Sequence, residues 1–159
     1  MIWRIFGALL IIGASVYMGH FIASYGKRKL RSTEEALLLI KYIRRNIEAY
    51  LTPVGEILKG YTSEYLEICG FADTMRESGL KTAVEGEYLE LPQAVKDDLS
   101  AFAEKLGSGY AEGELKMCDY YIGRLEESAA AAREKLTVNG RLYRLLPPIG
   151  GLSLIILLL

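Results

Sequence analysis

Both ends of this chain are free of charge. No Asp, Glu, Lys or Arg stands between Arg4 and Lys27, and none follows Arg144. Almost all of the 19 basic and 20 acidic residues in the 159-residue chain therefore lie between Lys27 and Arg144. The first uncharged stretch, Ile5–Gly26, has 22 residues. As a helix it reaches ~33 Å, enough to cross a hydrocarbon core of ~30 Å. It exceeds the apolar region of a secretion signal, and Ser24-Tyr25-Gly26 is a poor cleavage site, so the segment is expected to stay as an anchor.

The second stretch, Leu145–Leu159, has 15 residues and gives only ~22 Å as a helix. Leu142 and Tyr143 lengthen it if Arg141 and Arg144 reach back to the headgroups. Pro147-Pro148 falls near its start, where proline is tolerated, and Gly150-Gly151 lets another helix come close. The basic residues Lys27, Arg28, Lys29 and Arg31 flank the first stretch on the side where Arg141 and Arg144 flank the second. Positive charge marks the cytoplasmic side. The expected arrangement is a cell-membrane protein with spans over 1–26 and 145–159, a cytoplasmic domain over 27–144, and short termini across the bilayer. Within the first span Ser15, Gly19 and Ala23 recur at every fourth residue, with Ala8 and Gly26 near the same face. Such a stripe packs against the chain's own second span, a second copy or another membrane subunit.

The middle reads as helix throughout, which makes the fold class all-α, a helical bundle between two transmembrane helices. Ser32-Thr33-Glu34-Glu35 resembles a capping box, with Ser32 as N-cap. Ala36, Ile40, Ile43, Ile47 and Tyr50 then follow at intervals of three and four. Thr52-Pro53 opens a second helix that turns Val54, Ile57, Leu58 and Tyr61 inward. A third is expected over 63–78, interrupted in quality by Gly70 and closed by Gly79. A short helix and a loop fill 80–91. Pro92 starts a helix with Val95, Leu99, Phe102, Ala103 and Leu106 on one face, and Gly107-Ser108-Gly109 ends it. The last helix begins near Ala111, carries Leu115, Cys118, Ile122 and Leu125 in register, and has its expected bend at Val138-Asn139-Gly140. No stretch alternates with period two, so no sheet is expected.

Net charge is −1, which gives no argument for nucleic-acid binding. Charge is uneven, however. Residues 27–45 carry +5, residues 46–119 carry −9 and residues 120–144 carry +2. The basic ends suit anionic headgroups. The acidic centre, with Asp97, Asp98 and Glu104 in it, is either solvated surface or a docking face for a basic partner. Enzymatic chemistry has little support. There is no G-x-x-x-x-G-K-[ST] phosphate loop, and Asp97 and Asp98 diverge on a helix instead of forming an acid/base pair. His20 is the one histidine and lies in the first span, so Cys69 and Cys118 have no partner for a zinc site. Two thiols without a disulfide framework suit a reducing compartment and read as small buried residues. No cofactor, metal or catalytic residue is expected.

The segment Ile47-Glu48-Ala49-Tyr50-Leu51-Thr52-Pro53-Val54, behind a basic-flanked N-terminal span, resembles the E-I-x-Y-x-x-T-P-L region of the stage III sporulation protein AB family. Leu106-Gly107 before a long charged helix is similar to that family's L-G-x-x-D stretch. Leu142-Tyr143-Arg144, then Gly150-Gly151-Leu152 and an aliphatic run, resembles its closing membrane segment. The chain departs from the pattern in having Gly109-Tyr110-Ala111 in place of an aspartate, and Glu114 where a glutamine is common. The resemblance covers essentially the whole chain. It implies a small, non-enzymatic relative of the inner-membrane platform proteins of type II secretion and type IV pilus machines. Such a protein would belong to the channel complex between mother cell and forespore, facing the mother-cell cytoplasm. Its partners would be a secretion-type ATPase and other membrane subunits. On that reading Glu48, Tyr50, Thr52 and Pro53 form a structural turn, and Asp97, Asp98 and Glu104 form the ATPase interface. The alternative is an autonomous membrane scaffold or sensor without an ATPase partner. A transporter or membrane enzyme ranks last, because two spans with one histidine supply too few polar groups for a substrate path.

Overall fold

Among the described residues helices make up the fold, two of them long and five short. The computed structural model describes the backbone of residues 2–50 and 52–158, and side chains for residues 24–49, 52–138 and scattered positions before them. Helix α1 covers Ile2–Tyr50 and α7 covers Ala111–Leu158. Between them lie α2 (Val54–Gly60), α3 (Glu64–Ile68), α4 (Phe71–Ser78), α5 (Leu80–Glu85) and α6 (Gln93–Lys105). No strand occurs among the described residues, so the all-α class holds.

The chain divides into two compact units, one of Met1–Arg28 with Ala131–Leu159 and one of Lys29–Ala130. In the first, a Cβ added at Gly26 would come within 2.8 Å of Leu136 Cδ2, so the two helices approach closely where glycine stands. Ser24 Oγ donates to the His20 carbonyl at 2.9 Å, and the Arg28 guanidinium lies 6.0 Å from the Tyr25 ring centre. Helix α7 continues through Val138-Asn139-Gly140, so the bend expected there does not interrupt the helix. The side chains of the packing residues Ser15, Gly19, Ala23, Gly150 and Gly151 and of the basic residues Arg141 and Arg144 fall outside the described residues. The same is true of most of both uncharged stretches. Among the described residues no helix is long and apolar enough to cross a membrane.

The second unit is built on one face of α1. Ala36, Leu39, Ile40, Ile43 and Ile47 are buried there, a stripe of period 3.6 that needs an apolar cover. Cover comes from Ile57 and Leu58 of α2, Leu66 of α3, Phe71 and Met75 of α4, Leu80 and Val84 of α5, and Val95, Leu99 and Phe102 of α6. Cys118, Tyr121 and Leu125 of α7 complete the core, with the Phe102 and Tyr121 rings edge to face at 5.5 Å. Arg44 of α1 pairs with Asp119 of α7 at 2.5 Å and with Glu48 at 2.6 Å, which raises its already high pKa. Lys41 and Glu126 form a second bridge between the same helices at 2.6 Å.

Two sequence expectations fail for tertiary reasons. Ser32 does not cap a helix, because α1 runs through it unbroken. Ser32, Thr33 and Glu35 instead point into the unit. The Ser32 hydroxyl shares a 2.8 Å hydrogen bond with the Tyr65 hydroxyl, and Ser63 Oγ donates to Glu35 Oε2 at 2.8 Å. Arg31 holds the other Glu35 oxygen at 2.9 Å and lies over the Tyr65 ring. The Ser32 hydroxyl and both Glu35 oxygens therefore find partners, and the Tyr65 and Ser63 contacts pin α3 to α1. The helix expected over 63–78 is also divided, because Gly70 adopts φ 76° and turns the chain between α3 and α4. Arg76 then ties three short helices together, donating to the Tyr61 carbonyl at 2.8 Å and to Glu67 at 2.9 Å.

Burial pushes the Cys118 thiol from 9.0 up to about 11, with Glu114 and Asp119 adding to the rise. The unfolded chain loses this proton near pH 9 and the folded chain keeps it to about pH 11. The thiol's contribution to stability is thus complete below pH 9 and declines as pH rises toward 11. Chemical denaturation of the detergent-solubilised protein across this window should show stability falling with pH, with a shallower fall in Cys118→Ala.

Candidate functional site

Proline and glycine bring two loops together at one end of the second unit. Pro53 disfavours helix at the residue before it, so α1 stops at Tyr50 and Thr52-Pro53 turns the chain into α2. The turn is closed by the Glu56 and Ile57 amides, which donate to the Pro53 carbonyl at 2.9 and 3.2 Å. Opposite, α6 ends at Lys105 and Gly107 takes φ 82°. That left-handed conformation is what calls for glycine; a Cβ there would meet Val54 Cγ2 at 3.5 Å, an ordinary contact.

Between these loops lies a cleft of about 340 Å³, lined by Ile47, Thr52, Pro53, Val54, Gly107, Gly109, Ala111 and Glu114. The two sequence segments singled out above, Ile47–Val54 and the one beginning at Leu106-Gly107, thus meet in one place. The Thr52-Pro53 turn is a turn, as its sequence suggests, and it also forms a wall of the cleft. The Tyr50 side chain falls outside the described residues, and Glu48 faces solvent in its pair with Arg44.

Glu114 is the chemical centre of the cleft. It stands in the first turn of α7 and is only 6% exposed. Its Oε1 accepts the Gly107 amide at 3.0 Å and the Gly109 amide at 2.9 Å. Two backbone donors on one carboxylate oxygen make a charge-assisted cradle that fixes the Gly107–Gly109 loop. Its Oε2 is buried and has no hydrogen-bond partner. An acceptor left in that condition costs about 1–3 kcal/mol. In the sequence Glu114 stands out only as a departure from a glutamine. The available signal was an acidic residue in the first turn of a helix that follows a Gly-Ser-Gly break.

The acidic residues predicted as an interface are not equivalent. Asp97 and Glu104 lie seven residues apart on one exposed face of α6. Asp97 accepts from the Gln93 amide at 2.8 Å, and Glu104 pairs with Lys81 at 3.5 Å. Asp98 points elsewhere. Its side chain is 14% exposed and grips Arg124 of α7 through both oxygens, at 2.9 and 3.1 Å. That pair raises the Arg124 pKa and fastens α6 to α7. Of the basic residues, Lys27, Arg28 and Arg31 are exposed, Arg31 in its pair with Glu35, and Lys29 is half-buried. Cys69 and Cys118 are free thiols, Cys118 in the core. No group of three metal-ligating side chains occurs among the described residues.

A profile of the stage III sporulation protein AB family matches residues 4–159. No curated protein and no solved structure matches the chain.

Replacing Glu114 separates its two oxygens. Glu114→Gln keeps an acceptor for Gly107 and Gly109 and exchanges one unpartnered buried group for another, so its stability should stay close to the parent's. Glu114→Ala loses the cradle and should fall below Glu114→Gln by about 1–2 kcal/mol. Denaturation measures the difference, and faster hydrogen exchange at the Gly107 and Gly109 amides in Glu114→Ala alone locates it.

Proposed function

The chain belongs to the stage III sporulation protein AB family, and on that premise we propose that it is a non-enzymatic membrane component of a secretion-like channel complex. A role in sporulation comes with the family itself. In the finer reading, Ile5–Gly26 and Leu145–Leu159 anchor the protein in the mother-cell membrane, and the helical unit stands in the cytoplasm as a platform for a secretion-type ATPase. The observation that carries this reading is the family match over 4–159, which takes in both uncharged ends and the charged middle together.

The charge pattern supports the orientation. Lys27, Arg28, Lys29 and Arg31 follow the first uncharged stretch directly, and Arg141 and Arg144 precede the second. Both groups belong beside anionic headgroups on the cytoplasmic side. The small-residue positions Ser15, Gly19, Ala23, Gly150 and Gly151 are the proposed contacts with other membrane subunits or with a second copy. The acidic stretch 46–119 would then face the cytoplasm and attract a basic partner. Asp97 and Glu104, exposed on one face of α6, are the side chains proposed to meet the ATPase. Asp98 contributes to that face indirectly, by holding α6 against α7 through Arg124.

The test is binding of the full chain, reconstituted in lipid nanodiscs, to the secretion-type ATPase of the same organism. Binding should weaken as salt rises. The double variant Asp97→Lys, Glu104→Lys should bind about tenfold more weakly at low salt, with the gap closing at high salt. Undiminished binding by the variant would remove the acidic face, and no binding by the parent would remove the ATPase.

A further inference from the structure

One contact in the unit of Met1–Arg28 with Ala131–Leu159 sets a register between its two helices. A Cβ added at Gly26 would stand 2.8 Å from Leu136 Cδ2, so these two positions share a level. Along α1 and α7 the numbers run in opposite senses, since Arg44 meets Asp119 and Lys41 meets Glu126. The pair is therefore antiparallel, and its helices run unbroken to Ile2 and Leu158. Equal rise per residue keeps such a pair in step. Counted away from the contact, Lys135 comes level with Lys27, Arg141 with Phe21 and Arg144 with Met18.

That register decides where a bilayer can begin. If hydrocarbon started at Lys27, the Arg144 level would lie nine residues below its surface. Nine helical residues are ~13 Å, farther than an arginine stem reaches back to the headgroups. A charge held at that depth is strongly disfavoured. The described side chains of α1 point the same way. Tyr17, Phe21 and Tyr25 recur at every fourth residue and are all exposed, Tyr17 by 74%. His20 is exposed among them. Aromatic side chains with a polar end belong at headgroup level. With hydrocarbon starting at Lys27, Tyr17 would be ~15 Å deep, at the centre of a ~30 Å core.

We infer that the cytoplasmic edge of the hydrocarbon crosses the helix pair at Tyr17 and Arg144, and that residues 18–26 and 136–144 stand above it as a collar among lipid headgroups. Headgroup phosphates are the partner that Arg141 and Arg144 fit at this boundary. Lys27 and Lys135 then share a level ~13 Å above the edge, at the outer face of the headgroup layer. Below the collar, the Met18 level is 14 residues from Arg4. The apolar layer is therefore ~21 Å, and a ~30 Å core thins locally to match it. This inference deepens the membrane reading proposed above and rests on it.

The experiment measures tryptophan depth in the full chain, reconstituted in phosphatidylcholine and phosphatidylglycerol brominated at shallow or at deep acyl carbons. Trp3→Phe removes the one native tryptophan, and Leu10→Trp, Tyr17→Trp or Tyr25→Trp then supplies the probe. Leu10→Trp should be quenched best by deep bromines and Tyr17→Trp best by shallow ones. Tyr25→Trp, ~12 Å above Tyr17, should lose quenching by both. Arg141→Leu with Arg144→Leu should let the pair sink, moving Tyr17→Trp toward the deep bromines by up to ~13 Å. Deep quenching of Tyr17→Trp with shallow quenching of Tyr25→Trp would overturn the inference and leave a full-length first span standing. An unchanged Tyr17→Trp depth in the arginine variant would overturn it too, because charge would not set the level. Absence of quenching at Leu10→Trp would overturn the inference and the membrane reading together.

Discussion

Everything in the Lys29–Ala130 unit depends on the apolar face of α1. Ala36, Leu39, Ile40, Ile43 and Ile47 form a continuous seam that water must not reach. A single helix cannot hide such a seam, and most of its stability has to come from what packs against it. Five short helices and the first part of α7 supply that cover. The short helices could not persist alone at five to thirteen residues. They hold because each contributes a few large side chains to one core, and because Arg76 and the Ser32–Tyr65 and Glu35–Ser63 pairs secure their ends.

The same constraint explains how the cleft arises. Where the seam ends at Ile47, cover is supplied by turns in place of helices, since Pro53 ends α1 and Gly107 ends the path out of α6. Turns cannot fill space as closely as interlocking helices, so a gap remains. Glu114 stabilises one side of that gap by gathering two loop amides on a single oxygen. Its other oxygen is buried without a donor and is the part of the arrangement that costs stability.

Much of this was legible in the residues. The 3.6-residue period over 36–47 and again over Val95, Leu99 and Phe102 marked side chains that are buried, and Gly79 and Gly107 stand at the breaks their sequence implies. Those signals are local, and local physics decides them. Ser32 and Glu35 failed as a capping box for the opposite reason. A cap motif competes with helix continuation only where the chain is free to stop, and here the buried partners Tyr65 and Ser63, about thirty residues away, hold the helix straight through it. Asp98 could not be told from Asp97 in sequence, because Arg124 is 26 residues distant and only the fold brings it near. Glu114 was hidden likewise, its partners being loop amides that no side-chain pattern reveals.

The proposed function joins these features into one arrangement: two uncharged ends in the membrane, basic residues at the headgroups, and the acidic surface presented to proteins of the cytoplasm. Its central claim is the side on which the helical unit stands. With Cys69 and Cys118 replaced by alanine, a single cysteine at position 97 should be probed with a membrane-impermeant maleimide in intact and in permeabilised cells. The account predicts labelling only after permeabilisation. Labelling in intact cells would place the unit outside, beyond reach of any ATPase, and contradict it.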